Sequence, residues 1–263
     1  MEFSLKQAKR TNPNAIIHVI GDHTNNIFNF VKHYNISNYC QNAQKFEKVY
    51  KHLDSLRRIY VLSNIKAYSF MLNEFIISRN IDRFLLVDTD VMIYCNVEKE
   101  FERLKEWDFS LGETIPGDLA MCPSPVFWNN VKALDEFCKF VMNVYTGKDL
   151  DNYNKAVDHY EDRRARGLQG GVCVMTLYAL FERSKCFKVY HVENVENNST
   201  HELNLNISTN GLIKYQMEGR FKRLEWKDGC PYGICCMDNK RIRFKTIHCA
   251  GGAKGFMKGF YEM

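Results

Sequence analysis

The sequence lacks any apolar run of the roughly 18 residues that a membrane-spanning helix requires. Its first residues, MEFSLKQAKRTNPNA, also lack the apolar core of a secretory signal peptide. We therefore expect a cytoplasmic protein without a transmembrane segment, rather than a secreted or membrane-anchored one.

Charge of one sign is not concentrated anywhere along the chain. The 36 basic and 31 acidic residues are interspersed, and the net charge is only +5. Nucleic-acid-binding proteins more often gather lysine and arginine into one stripe. We therefore expect no nucleic-acid partner.

The ten cysteines do not repeat at metal-site spacing. Without an export signal they are interpreted as reduced thiols and small core residues. The group Cys230, Cys235 and Cys236 has no second ligand cluster, so a hairpin with buried thiols is a better interpretation than a zinc site.

What the sequence does contain is enough apolar material for a large core. Hydrophobic residues make up 45% and aromatic residues 13% of the chain. No internal repeat or boundary signal divides it, so residues 1–263 are expected to form a single domain. Strand-like and helical segments alternate, which predicts an α/β layered fold.

The expected elements follow from apolar periodicity and from cap and turn signals. Helices are predicted over residues 2–10, 64–79 and 130–146 and after a cap at Asn96, and strands over 15–20, 59–62, 84–87 and 109–111. Residues 149–168 are expected to be a mobile polar loop, residues 193–210 an irregular surface segment, and 227–229 the turn of a hairpin.

Two carboxylates follow the apolar segment FLLV, at Asp88 and Asp90. Side chains two positions apart in an extended backbone point the same way, so both acids can face one site. A hard divalent cation is the natural occupant between two such acids. The alternative is a pair of aspartates in an ordinary turn.

A second motif, His248-x-x-Gly251-x-x-Lys254, lies near the end of the chain. An imidazole nitrogen suits Mn²⁺, glycine lets backbone N–H groups approach a phosphate, and lysine supplies a positive charge. Alone, the string also fits a surface histidine beside a flexible tail. Together with the aspartate pair, it favours one shared site.

These motifs resemble those of GT-A glycosyltransferases, especially the glycogenin-like and bacterial lipooligosaccharide galactosyltransferase group. The resemblance spans roughly residues 3–258 and includes Thr11-Asn12-Pro13-Asn14-Ala15, FLLVDTD, Asn129-Asn130, Gln169-Gly170-Gly171 and the late histidine motif. It implies a GT-A-like, Rossmann-like domain whose mostly parallel central sheet is flanked by helices.

The same resemblance implies a function. It implies transfer of a sugar from a nucleoside-diphosphate donor, most often a UDP-sugar, to a glycan, lipid-linked or protein acceptor, and it is compatible with peripheral membrane contact. It implies Mn²⁺ or Mg²⁺ bound by Asp88, Asp90 and His248, with Asp88 also near the donor ribose. It implies Lys254 and Gly251 at the diphosphate.

Two departures from that family pattern are visible. The chain begins inside the segment that resembles the family's first helix, so the family's first strand is expected to be missing or replaced. Residues 170–174 carry no acid, whereas some relatives have one there.

The choice of catalytic residue depends on stereochemistry, which the sequence leaves open. An inverting enzyme needs a base, for which Glu161 and Asp162 are candidates, with a solvated charged loop as the alternative. A retaining enzyme needs a polar group on the sugar's reactive face, for which Gln169 is the candidate.

Four further residues have both a functional and a structural interpretation. Lys66 is a candidate phosphate contact or a solvent-facing lysine. Asn129 and Asn130 are candidates for binding sugar hydroxyls or for capping a helix, and Trp128 for stacking on a sugar or packing in the core.

Two rival functions remain. A phosphohydrolase with Asp88 as nucleophile resembles the haloacid-dehalogenase pattern, but Met92 and the position of the motif far into the chain count against it. A catalytically inactive nucleotide-sugar or carbohydrate-binding relative is the other, favoured by the expected loss of the first strand.

Overall fold

A computed structural model describes residues 1–113 and 117–263. The helices are α1 Glu2–Thr11, α2 Gln41–Val49, α3 Arg58–Lys66, α4 Leu72–Ser78, α5 Val97–Arg103, α6 Val131–Thr146, α7 Leu150–Ala165, α8 Val174–Arg183 and α9 Met257–Glu262. A π-helical turn, Ala67–Met71, joins α3 to α4, and Gly251–Phe256 is a 3₁₀ helix that leads into α9.

The strands are mostly short and occur along the whole chain. They are β1 His18–Gly21, β2 Lys32–Asn35, β3 Phe84–Leu86, β4 Val91–Ile93, β5 Phe109–Glu113, β6 Met121–Cys122, β7 Val126–Trp128, β8 Val189–His191, β9 Ser199–His201, β10 Thr209–Asn210, β11 Ile213–Lys214, β12 Met217–Glu218, β13 Phe221–Lys222, β14 Leu224–Lys227, β15 Cys230–Ile234 and β16 Arg241–His248.

Two five-stranded sheets organise the molecule. The first has the order β3-β7-β5-β6, with β8 also paired to β5, and the second has the order β14-β15-β16-β4, with β9 also paired to β16. The expected α/β class is confirmed. The expected mostly parallel sheet is wrong, because eight of the described strand pairs are antiparallel and three are parallel.

The largest core cluster lies between the first sheet and helices α2, α3, α4, α6 and α8. At its centre the fully buried Trp128 stacks on Phe109, with ring centroids 4.7 Å apart. A second cluster, containing Phe244 and Ile247 of β16, lies between the second sheet and α9. Each of the two sheets packs against its own core cluster. The segment that connects the sheets therefore determines the positions of the residues at their junction.

Helix α1 covers β4 in place of another strand. Gln7 and Thr11 donate hydrogen bonds to the carbonyl of Ile93, at 3.2 and 2.9 Å, and Ser4 donates to the carbonyl of Val91. Since unpaired backbone carbonyls on a buried strand are costly, these side chains stabilise an otherwise open strand edge.

Several local predictions are confirmed. The first helix ends before Pro13, Asn96 caps α5 by accepting from the Lys99 N–H at 2.9 Å, and Asn130 caps α6. Asp228 and Gly229 turn the β14–β15 hairpin with positive φ angles, as the turn signal indicates. The ten cysteines are free thiols.

Three segments differ from their predictions. Residues 59–62 belong to α3 rather than to a strand, because Val61, Leu62 and Ile65 share one buried helical face. Most of the segment 149–168 is helix α7, Leu150–Ala165. Asp149 caps this helix, and i,i+4 ion pairs such as Asp151–Lys155, 2.7 Å apart, stabilise it.

The third segment is 193–210, which is partly buried rather than an irregular surface segment. Its polar side chains replace missing backbone partners: Asn210 accepts from the Leu203 N–H at 3.0 Å and donates to the His201 carbonyl at 2.9 Å. The many polar residues of this segment predicted a surface location, because asparagines are seldom buried in this way.

A close backbone approach at Gly171 gives a first testable prediction. A Cβ there would lie 2.4 Å from the Leu53 carbonyl oxygen and 2.8 Å from the Asp54 Cα. We expect Gly171→Ala to lower the free energy of unfolding by about 1–3 kcal/mol, as overpacking does. The control is Gly259→Ala in α9, where a Cβ meets nothing within 4 Å and should be neutral or stabilising. Equal urea midpoints for both variants would contradict this account.

Candidate functional site

The two aspartates lie at the junction of the two sheets. Asp88 and Asp90 occupy the turn between β3, in the first sheet, and β4, in the second. The strand predicted over 84–87 is present as β3, and the two acids lie in the turn that follows it rather than along an extended backbone. The turn is closed by the Val91 N–H bonding the Asp88 carbonyl at 3.1 Å, and the buried Ser124 hydroxyl accepts from the Asp88 N–H at 2.7 Å.

Pairing of β4 with β16 brings His248 to the aspartates. The two strands are antiparallel with Val91 opposite His248, and the ladder continues with the Cys249 N–H bonding the Asp90 carbonyl at 2.9 Å. His248 Nε2 then lies 3.3 Å from an Asp90 oxygen and 4.0 Å from an Asp88 oxygen. The predicted convergence of Asp88, Asp90 and His248 is present in the structure.

The 3₁₀ helix after β16 adds Lys254 to the same place. Its Nζ lies 3.0 Å from the other Asp90 oxygen. A pocket of about 550 Å³ contains these groups, and it is lined by Tyr60, Tyr68, Val87, Asp88, Thr89, Asp90, His248, Ala250, Gly251 and Lys254. Gly251, which has a φ of +52°, lies in the wall of this pocket as the sequence motif suggested.

A buried polar chain fixes the backbone of His248 from behind. The Glu202 carboxylate accepts from the His248 N–H at 3.0 Å and pairs with Lys222 at 2.8 Å, both side chains being fully buried. No sequence pattern indicates this pair, because the two residues lie in separate segments that only the fold brings together.

Burial and charge act differently on the two aspartates. Burial raises the pKa of Asp88 to about 6, and nearby Asp90 adds to this while His248 and Lys254 oppose it. Burial also works against ionisation of Asp90, but hydrogen bonds and charges from His248 and Lys254 lower its pKa to about 2. Asp88 is therefore the carboxylate whose charge the surrounding residues neutralise least.

Burial disfavours the imidazolium of His248 as well. The hydrogen bond to Asp90, followed by the contact of Nδ1 with Cys122 Sγ at 4.0 Å, outweighs it and raises the pKa of His248 to about 11. Without a cation, His248 is thus a protonated partner of Asp90. Binding a cation requires that proton to leave.

The donor atoms of Asp88, Asp90 and His248 fit a divalent cation. They lie within 4.8 Å of one another. Ligands about 2.1 Å from one cation lie roughly 3–4 Å apart, close to the separations seen here. Two carboxylate oxygens and one imidazole nitrogen suit Mn²⁺, and the weakly compensated Asp88 favours a cation.

Other predicted site residues lie elsewhere. Lys66 pairs with Glu47 at 2.7 Å and does not line this pocket. Asp162 lies exposed on α7 and pairs with Arg166 at 3.1 Å, and Glu161 pairs with Arg164 at 3.5 Å. Gln169 lines a second cavity, of about 320 Å³, which shares no lining residue with the first.

The asparagines and the tryptophan have structural contacts. Asn129 donates to the carbonyls of Leu104 and Trp107, at 2.8 and 3.1 Å, and Asn130 donates to Asp108 at 2.8 Å besides capping α6. Trp128 is fully buried in the core, so it is not a sugar-stacking surface.

Sequence reasoning missed Tyr60 and Tyr68 in the pocket wall. Tyr60 was assigned to a strand, whereas on α3 its ring is 61% exposed beside the aspartates. Tyr60 lies on α3 and Tyr68 in the π-helical turn after it, so both tyrosines come from one continuous helical segment ahead of Asp88.

Comparison with protein-family models, with curated proteins and with solved structures gives no match. No helix in the described part of the chain has the length and apolar character needed to cross a bilayer.

The raised pKa of Asp88 predicts a stability change with pH in metal-free protein. Because the folded pKa, about 6, lies above the ordinary 3.8, ionisation costs stability as pH rises through this range. We expect Asp88→Asn to stabilise EDTA-treated protein at pH 7.5, by on the order of 1–3 kcal/mol, and far less at pH 4.

Thermal melts at both pH values measure this difference. The control is Asp158→Asn, at an exposed position on α7, which should change neither melt appreciably. A destabilised Asp88→Asn protein at pH 7.5 would contradict the account of Asp88 as a buried, undercompensated carboxylate.

Proposed function

We propose that the chain is a metal-dependent glycosyltransferase of the GT-A type, with a nucleoside-diphosphate sugar as donor and a hydroxyl group of a glycan, lipid-linked or protein acceptor as the recipient. The observation that carries the proposal is the convergence of Asp88, Asp90 and His248 beside Lys254 in one open pocket. These residues come from the two motifs on which the resemblance depends.

Asp88, Asp90 and His248 would hold the cation, and Mn²⁺ suits this mixed oxygen and nitrogen set. When bound, a divalent cation supplies charge neutralisation for a leaving diphosphate. His248 must give up its proton for this, so cation affinity should rise with pH.

Lys254 supplies a second positive charge for the diphosphate. Its side chain is 59% exposed and is held at the pocket by Asp90. If Asp90 held a cation, the Lys254 ammonium could turn towards phosphate oxygens without leaving a buried charge unpaired. Gly251, beside it, lets the main chain approach the same oxygens.

Tyr60 offers a flat apolar surface at the pocket. Aromatic rings commonly stack on nucleobases and on sugar faces, and this ring is already exposed. We assign it to the nucleotide or sugar of the donor.

In the transfer itself, a bond forms between the acceptor oxygen and the anomeric carbon, and the bond from that carbon to the diphosphate oxygen breaks. The nucleoside diphosphate leaves with the electron pair, and the proton of the acceptor hydroxyl passes to the leaving diphosphate oxygen. The positive groups of the pocket stabilise the charge that develops on it.

Mn²⁺-dependent hydrolysis of a panel of nucleotide sugars tests this function. We expect slow release of nucleoside diphosphate from at least one donor, with UDP-sugars the first candidates. Asp90→Asn should abolish the Mn²⁺-dependent rate and leave the circular dichroism spectrum unchanged. Unchanged turnover in that variant, or binding of donors without any release, would contradict a transferase.

Lys254 and Lys258 form a matched pair for the phosphate role. Lys258 lies on the same terminal segment, is 68% exposed and pairs only weakly with Glu262, at 3.8 Å. We expect Lys254→Ala to weaken nucleoside-diphosphate binding about tenfold, the loss of one charge-assisted contact. Lys258→Ala should have no effect. Calorimetric titration with UDP and Mn²⁺ measures both, and equal affinities would remove Lys254 from the site.

A further inference from the structure

A second group of metal-ligating side chains lies at the ends of β5 and β8. Glu113, His191 and Glu193 each offer a ligand atom within 4.8 Å of the others, and they form one of the two such groups in the described part of the chain. It shares no residue with the pocket of Asp88, and the proposed transfer reaction does not use it.

Strand pairing explains why these three meet. The parallel strands β5 and β8 place Leu111 opposite His191. Glu113 lies two residues after Leu111 in β5, so it shares the face on which His191 lies, and Glu193 follows in the turn directly after β8. Gly112, the intervening residue of β5, is paired with Cys122, whose Sγ lies 4.0 Å from His248 Nδ1. The second group is separate from the first site.

Glu193 is the member that most needs a partner. Its side chain is 95% buried, since only 5% is exposed, and Oε2 has no hydrogen-bond partner in the described part of the chain. The backbone closes over it at Gly211, where φ is +56° and a Cβ would lie 2.6 Å from the Glu193 Cγ. Burying a carboxylate oxygen without a partner is unfavourable unless a cation binds it.

The His191 ring lies between two carboxylates, one facing each ring nitrogen. Its Nδ1 lies 3.3 Å from Glu193 Oε1, a separation that two ligands of one cation can adopt. Its Nε2 lies 3.7 Å from a Glu182 oxygen on the opposite side of the ring. This nearby negative charge favours a proton on Nε2, which leaves Nδ1 available as a ligand.

Glu113 completes the set from the neighbouring strand. One of its oxygens accepts from the Gly117 N–H at 2.8 Å, which holds the side chain in place. We propose that Glu113, His191 and Glu193 form a second divalent-cation site, with Glu182 as the residue that positions His191. Carboxylates and one imidazole suit Mn²⁺, as in the first site.

The competing explanation is an ion-pair group in which a protonated His191 lies between Glu182 and Glu193. It requires no cation. Counting bound Mn²⁺ separates the two explanations, and Mn²⁺ is the appropriate probe because the exposed thiols of Cys186 and Cys236 prefer softer metals.

The experiment is an electron paramagnetic resonance titration of free Mn²⁺ with EDTA-treated, desalted protein. The natural chain should bind two ions. The double variant Asp90→Asn, His248→Ala, in which the first site is disabled, should bind one. Adding Glu193→Gln or Glu113→Gln to that variant should weaken the remaining ion at least about tenfold, and Glu182→Gln should weaken it about 10- to 100-fold, as loss of an outer carboxylate does.

Glu196→Gln is the matched control, because Glu196 follows in the same segment but pairs with Arg103 at 2.7 Å instead. It should leave the remaining ion in place. Glu113→Gln keeps the test informative if the buried Glu193 variant fails to fold. The proposal is overturned if the double variant binds no Mn²⁺, or if the ion that it binds is insensitive to both glutamate substitutions.

The two sites fail independently in this design. One ion in the natural chain that Asp90→Asn, His248→Ala removes supports the first site and overturns the second. If the natural chain binds one ion that the double variant retains and that Glu193→Gln abolishes, the second site is supported. The same result would contradict metal binding at Asp88, Asp90 and His248.

Discussion

Antiparallel pairing of β4 with β16 is the constraint on which the candidate site depends. It places His248 opposite Val91 and so next to Asp90, although the motifs lie far apart in the chain. The pairing involves few residues, and α1 supports it by bonding the carbonyls of β4 on its other side. The geometry of the site therefore depends on the few backbone pairs that join these two strands.

Two buried polar arrangements at this junction cost stability, the Glu202–Lys222 pair and the ionised Asp88. The fully buried ion pair of Glu202 and Lys222 gains less than its distance suggests, because both charges leave water. Its other oxygen holds the His248 N–H. Asp88 is similarly unfavourable when charged. Both lower stability, while the Glu202–Lys222 pair fixes the backbone of His248 and the Asp88 carboxylate faces the pocket.

The parts predicted well from sequence are those that local chemistry decides. Caps at Asn96 and Asn130, the Asp228-Gly229 turn and the buried face of α6 each depend on a few neighbouring residues. The grouping of Asp88, Asp90 and His248 was also predicted, but from paired motifs rather than from any property of the separate segments.

The parts predicted poorly depend on tertiary partners. A run such as 59–62 fits a strand or a helix equally, and only burial of Val61 and Ile65 on one face decides it. The direction of strand pairing in the sheets is not encoded in the apolar run of β3 at all. Glu193 and Glu202 lie in a segment whose composition indicated surface, so neither buried acid was expected.

Anomalous scattering from crystals soaked with Mn²⁺ and UDP tests the central claim most directly. The account predicts a peak within about 2.2 Å of oxygens of Asp88 and Asp90 and of the His248 Nε2, with the diphosphate beside Lys254. A nucleotide bound elsewhere, or no Mn²⁺ peak among these three residues, would contradict it.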